Sequence, residues 1–203
     1  MGTRGLTCVV LGGEMKVCQY GQWDHYPTGQ GEDIVSFIRK KMDKKVFKKK
    51  VSELRTMTDE DVKKCWEDCG AGDSDWVSCD VSDKLRITFP QLSRDTGSGI
   101  LAMIQNGAVT SVKNSADFAN DSLFCEWAYV VDLDKNVLEV YRGFNTVPTS
   151  KQGRFNSSVN PEPCSDGTKY YPIKLLKKYK FKDLKLSTMS KLSKELDKED
   201  NED

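Results

Sequence analysis

The chain has 203 residues, 37% apolar and 31% charged, with basic and acidic groups in equal number and a formal net charge of zero. That size suits one domain with a real hydrophobic core and some chain to spare. Neutrality argues against a dedicated nucleic-acid binder, which needs a basic face, and no run approaches the ~20 apolar residues of a membrane helix.

The chain opens with two strand-like runs, 6–11 and 15–20, around Gly12-Gly13, which predicts a β-hairpin. Pro27 and the glycines at 29 and 31 then mark residues 22–31 as a loop. Ile34, Phe37, Ile38 and Met42 recur at helical spacing, and the basic run 39–50, interrupted by Val46 and Phe47, continues as a second helix with a solvated face. Thr58 followed by Asp61 reads as a capping box, and Val62, Cys65, Trp66 and Cys69 form an apolar stripe that stops at Gly70.

Residues 72–83 read as a loop, and the alternation of Leu85, Ile87 and Phe89 predicts a strand. Pro90 suits the first turn of a helix carrying Leu92, Ile100, Leu101 and Ile104, with Gly97 and Gly99 marking a break or a close approach. The clearest strand is 123–133, returning through 134–136 into a partner over 137–144. Residues 149–168 read as a long loop, and 170–186 as one last strand. Residues 187–203 are charged, which predicts a disordered tail. The expected fold is α+β: an antiparallel sheet built from two hairpins, with three to four helices packed on it, in a single domain over 1–186.

Seven scattered cysteines, no CxxC and a single histidine, His25, give no metal site and no cofactor motif. The cysteines read as reduced, mostly buried hydrophobes, with Cys65 and Cys69 buried on their helical stripe. A Cys–His nucleophile pair would have to use His25 with Cys8 or Cys18, and His25 is expected to point to water.

Candidate binding residues are those that interrupt an otherwise explicable pattern. Gln22, Asp24 and Tyr26 lie in a loop feeding a helix N-terminus, where free N–H groups favour an anion. The same loop also reads as a packed turn with Trp23 and Tyr26 in the core and Asp24 as a cap. Arg94 and Asp95 stand beside glycines, as a ligand clamp or a surface ion pair. Glu126 lies in an apolar strand and needs a partner, for which Arg142 on the returning strand is one choice, or else it faces solvent. Arg4 precedes the first strand and points either to a site at the hairpin end or to water.

These residues fall in blocks that resemble an uncharacterised family of phages, prophages and other microbial genomes. The blocks are Met1-Gly2-Thr3-Arg4-Gly5, the Trp-Asp-x-Tyr-Pro-x-Gly-x-Gly loop from Trp23 to Gly31, Leu92 to Gly97 and Phe124 to Tyr129. The likeness spans about residues 1–145, and His25 stands where such families commonly carry glycine. It implies a phage-type accessory protein acting on host metabolites or host defence, in the host cytoplasm. The expected activity is binding of a small anionic ligand through Arg4, Gln22, Asp24, Tyr26, Arg94, Asp95 and Glu126, with any catalysis unassigned. Two alternatives remain: an amidohydrolase resembling the N-terminal-nucleophile class, although Gly2 rather than a nucleophile follows Met1, and a binding-only inhibitor of a host defence complex, of the anti-CRISPR kind.

Overall fold

The computed structural model describes residues 2–72, 77–148, 153–155 and 161–199. Strand β1 (Gly5–Leu11) turns through Gly12 and Gly13, both at positive φ, into β2 (Glu14–Gly21). Only glycine takes two successive left-handed positions without strain, so this turn requires the pair. Strands β5 (Trp127–Asp132) and β6 (Val137–Arg142) make the second hairpin, and β7 (Lys174–Lys180) adds to it. Between the hairpins lie the two-residue strands β3 (Arg55–Thr56) and β4 (Ser111–Val112).

Both expected hairpins are present, but the sheet is not purely antiparallel. The five-stranded order is β2-β1-β5-β6-β7, and β1 runs parallel to β5, while β3 and β4 form a separate small parallel pair. The central parallel pairing joins residues about 120 positions apart, so no local pattern announces it. The Asp134 carboxylate ties the hairpins together at their turns, accepting from the Gly12 and Gly13 N–H groups at 3.1 and 2.9 Å.

Six α-helices occur among the described residues, rather than three or four. Helix α1 (Glu32–Ser36) is flanked by wider helical turns at 27–31 and 37–41, and α2 (Lys44–Ser52) carries the basic run. Helix α3 (Asp59–Cys69) starts on the Thr58–Asp61 capping box and ends at Gly70, φ 101°. Cys69 is buried on it, but Cys65 is only half-buried.

The segment expected as a strand is helix α4 (Cys79–Thr88), capped by Ser78, whose hydroxyl accepts from the Val81 N–H. Leu85 alone is buried there and Ile87 is 75% exposed, so the alternation has no sheet to serve. The glycines at 97 and 99 do break the next helix: a short 3-10 turn at 90–92 is followed by α5 (Gly99–Gln105) only after an irregular stretch.

The expected disordered tail is helix α6 (Thr188–Glu199). Its Met189, Leu192 and Leu196 are buried in the main core. Spacing of three and four residues places them on one helical face, and that stripe outweighs the charged composition around it. Residues 200–203 lie outside the described set.

The sheet separates two cores. The front one holds Val9, Val17, Tyr129, Val131, Leu138 and Val140 under helices α1, α2, α5 and α6. The back one holds Leu6, Cys8, Val10, Cys18, Ala128, Val130 and Tyr141 under Ala119, from a short 3-10 helix, and Cys125, Phe155 and Ile173, from irregular chain. Among the described residues no helix is long and apolar enough to cross a membrane.

Candidate functional site

Strand β1 begins where β2 ends and where β5 begins, so the segments around Arg4, Gln22 and Glu126 meet at one end of the sheet. The Gln22 N–H donates to the Arg94 carbonyl at 2.8 Å, which brings the 93–98 loop to the same place. Tyr20 is the junction: its hydroxyl donates to Gln22 Oε1 at 2.5 Å. Burial raises the Tyr20 pKa, while the nearby Arg4 and Arg94 charges oppose that rise. The Arg4 guanidinium lies 4.4 Å from the centre of the Phe124 ring, a cation–π contact.

Beside Tyr20 opens a cleft of about 180 Å³ whose polar lining comes from Gln19, Tyr20, Gln91, Ser93, Arg94, Lys113 and Ser115, with Leu92 completing the wall. Two cations face it and no carboxylate lines it. Neither Arg94 nor Lys113 forms an ion pair among the described residues. Gln19 is held rigidly, donating from Nε2 to the Tyr20 carbonyl at 3.0 Å and to the Ser93 carbonyl at 3.4 Å. A second cavity, of about 340 Å³, lies beyond the 93–98 loop. It carries Asp33 and Lys41 together, so its field has no single sign.

The seven predicted residues divide into groups. Arg4, Gln22 and Arg94 surround Tyr20. Asp95 accepts from Trp23 Nε1 at 2.9 Å rather than pairing with its neighbour Arg94. Glu126 precedes β5 and closes on the Arg4 backbone: its carboxylate accepts the Arg4 N–H at 3.3 Å, and its own N–H donates to the Arg4 carbonyl at 3.0 Å. Arg142, the partner that the returning strand offers, stands opposite Trp127, the residue next to Glu126. Asp24 makes a separate pair with Tyr26, whose hydroxyl donates to it at 3.3 Å and whose pKa the carboxylate raises.

The loop departs from its packed-turn reading, and His25 from its expected exposure. Trp23 and Tyr26 are 45% and 40% exposed rather than packed, and His25 is fully buried rather than pointing to water. The imidazole fills a slot whose walls are glycines: a Cβ at Gly5 or Gly21 would stand 2.7 or 2.1 Å from the ring. Asp24 turns the chain into this slot at φ 57°. Nδ1 lies 3.1 Å from the Trp23 carbonyl, and the His25 carbonyl accepts the Tyr129 hydroxyl at 2.8 Å. Nε2 has no hydrogen-bond partner among the described residues. Burial lowers the His25 pKa to about 4, so the ring is neutral near pH 7. It is a structural wedge, and neither Cys8 nor Cys18 meets it, since those two thiols face each other.

Tyr20, Lys113 and Ser115 escape sequence reasoning. Tyr20 sits in a regular strand and the other two beside a two-residue strand, so no broken pattern marks them. Glu139 gives a clearer signal, a charge within a strand otherwise fit for a core. Its partner is Arg154, reached from the long loop, with Nε 2.7 Å from the carboxylate. Among the described residues no group of three or more His, Cys, Asp or Glu side chains is placed to hold a metal ion. No family model, curated protein or solved structure matches this chain.

Proposed function

We propose that the protein binds a small anion in the cleft beside Tyr20, with Arg94 and Lys113 supplying the charge and Ser93 and Ser115 the neutral donors. The observation that carries this is two cations that, among the described residues, have no acidic partner and face one concave, carboxylate-free wall. An unpaired guanidinium offers a planar fork of donors suited to phosphate or carboxylate. The volume, below the ~300 Å³ at which drug-sized ligand pockets begin, suits a headgroup-sized anion or the charged end of a larger molecule.

The resemblance of Met1 to Gly5 and Trp23 to Gly31 to phage and prophage proteins supports assigning this binding to a phage-type accessory protein acting on host metabolites in the cytoplasm. A binding-only inhibitor of a host defence complex is the second reading. It is favoured by the exposed rings of Trp23, Tyr26, Phe124 and Phe144, on loops at the same sheet end, since exposed aromatics concentrate at protein interfaces.

Thermal unfolding with inorganic phosphate, at constant ionic strength against chloride, tests the first reading. Binding to the folded state alone raises Tm, with ~2.7 kcal/mol of stabilisation at one hundred times Kd. The shift is expected to vanish in Arg94→Gln/Lys113→Gln. An equal shift in that variant, or none in the natural chain, rejects the cleft as an anion site.

A further inference from the structure

The β1–β2 hairpin carries chemistry that anion binding does not use. Cys8 and Cys18 are direct cross-strand partners, and their sulfurs lie 2.9 Å apart in the back core. Both residues are essentially inaccessible, at 0% and 1% exposure. A disulfide needs sulfurs at about 2.05 Å and Cα atoms roughly 4.4–6.8 Å apart. Directly opposed antiparallel residues have Cα separations of about 4.5 or 5.5 Å, inside that window in either register. Closing the bond therefore asks for a sulfur movement of less than an ångström and no change of strand pairing.

We propose that Cys8 and Cys18 are the site of a reversible disulfide, formed when a peroxide oxidises the hairpin. One thiolate attacks the peroxide, becoming a sulfenic acid as the first oxygen leaves as water. The second thiolate then attacks that sulfur and expels the other oxygen as water. Two thiols lose two protons and two electrons, and the peroxide takes them up as two waters.

The second step is fast because the partner sulfur is already in contact. The first is slow. Burial holds the Cys8 thiol well above its ordinary pKa, which leaves little thiolate. Access comes through β2, the edge strand of the sheet, which can open without unzipping the centre once the Ser115 N–H lets go of the Cys18 carbonyl. A third thiol, Cys125, shares this core but points its Sγ at the Trp127 carbonyl, 3.8 Å away. The bond would cross-link the edge strand that carries Gln19 and Tyr20, yet it does not depend on what the cleft binds.

Peptide mapping decides this without a variant that must fold. The natural chain is incubated with hydrogen peroxide, its free thiols are alkylated in denaturant, and it is cut with trypsin. Cleavage after Lys16 separates the two cysteines, so the disulfide appears as peptides 5–16 and 17–39 joined, and dithiothreitol releases them. That species is the expected result, and it should persist in Cys125→Ser. The proposal is overturned if both cysteines are recovered alkylated under conditions that oxidise the exposed Cys79, or if Cys125 is the partner found for either.

Discussion

The two faces of the sheet are covered by different physics. On the front, helices lay apolar stripes over Val9, Tyr129, Val131 and Leu138, and burial is the main force that holds them, with polar contacts such as Lys177–Glu195 only at the exposed margin. On the back, irregular chain crosses the strands, and charge fastens it. Arg154 reaches the buried carboxylates of Asp132 and Glu139, its backbone N–H donates to the Tyr141 hydroxyl at 3.1 Å, and that hydroxyl donates to Glu139 at 2.8 Å. Lys178 adds a further contact to Glu139 at 3.2 Å. A face closed by helices tolerates changes of charge state. A face closed by a buried ion network depends on every partner staying in place.

The largest test of that difference is removal of α6. Met189, Leu192 and Leu196 each contribute roughly 1.5–3 kcal/mol by burial, so ending the chain at residue 187 is expected to cost about 5 kcal/mol or more. That is comparable with the whole stability of a typical domain, 5–15 kcal/mol, and urea unfolding should show a transition near zero denaturant. A midpoint within a few tenths molar of the full chain would mean the front core does not need the helix.

Arg154→Met examines the back face and should cost about 3 kcal/mol, because it takes the guanidinium from two buried carboxylates and leaves Glu139 with Lys178 alone. Burial pushes the Glu139 carboxyl up, but hydrogen bonds from Arg154 and Tyr141 outweigh it, leaving a folded pKa below the ordinary value. In the natural chain that contribution is present at neutral pH and is lost as pH falls through the carboxylate range. In the variant, burial acts with less opposition, and protonation relieves it. The stability gap between the two chains should therefore narrow on going from pH 7 to pH 4. A gap that stays constant would show that Arg154 acts by packing alone.

The same contrast explains what was legible in the sequence. The second hairpin and α3 announce themselves through local signals, alternation in one and a capping box with a glycine stop in the other. The stripe of Met189, Leu192 and Leu196 was also readable, but the surrounding lysines and glutamates pointed to disorder, and composition is a weaker guide than periodicity. In α4, three apolar residues at alternate positions imitate a strand because so short a run fits both periods. The pairing of β1 with β5 and the reach of Arg154 are long-range, and no window of sequence contains both partners. At the cleft, Arg94 stands out beside its glycines, whereas Lys113 acquires meaning only when β4 lies near β2. His25 looked solvent-bound because its slot is formed by Gly5 and Gly21 across two strands, and a glycine leaves no sign of what it makes room for.

His25 stands at the sheet end, fastened neither by an apolar stripe nor by an ion pair, and it supplies the smallest and most specific of these effects. Its folded pKa is about 4, below the ordinary value of 6.5. The unfolded chain therefore takes up a proton first as pH falls. Stability from the neutral ring is complete above pH 6.5, declines below it, and levels off near pH 4. At ~1.4 kcal/mol per pH unit, the loss across that window is at most about 3 kcal/mol, and less if the loop opens to hydrate the ring. The Glu139 carboxyl, held below its ordinary value of 4.5, responds only below pH 5, so the His25 signature is read between pH 6.5 and 5. His25→Gln removes the titrating group and should flatten that upper segment of a urea-unfolding profile while leaving the carboxylate-driven fall below pH 5. If the variant keeps the full slope between pH 6.5 and 5, the imidazole is reaching solvent and the glycine-walled slot is not holding it neutral.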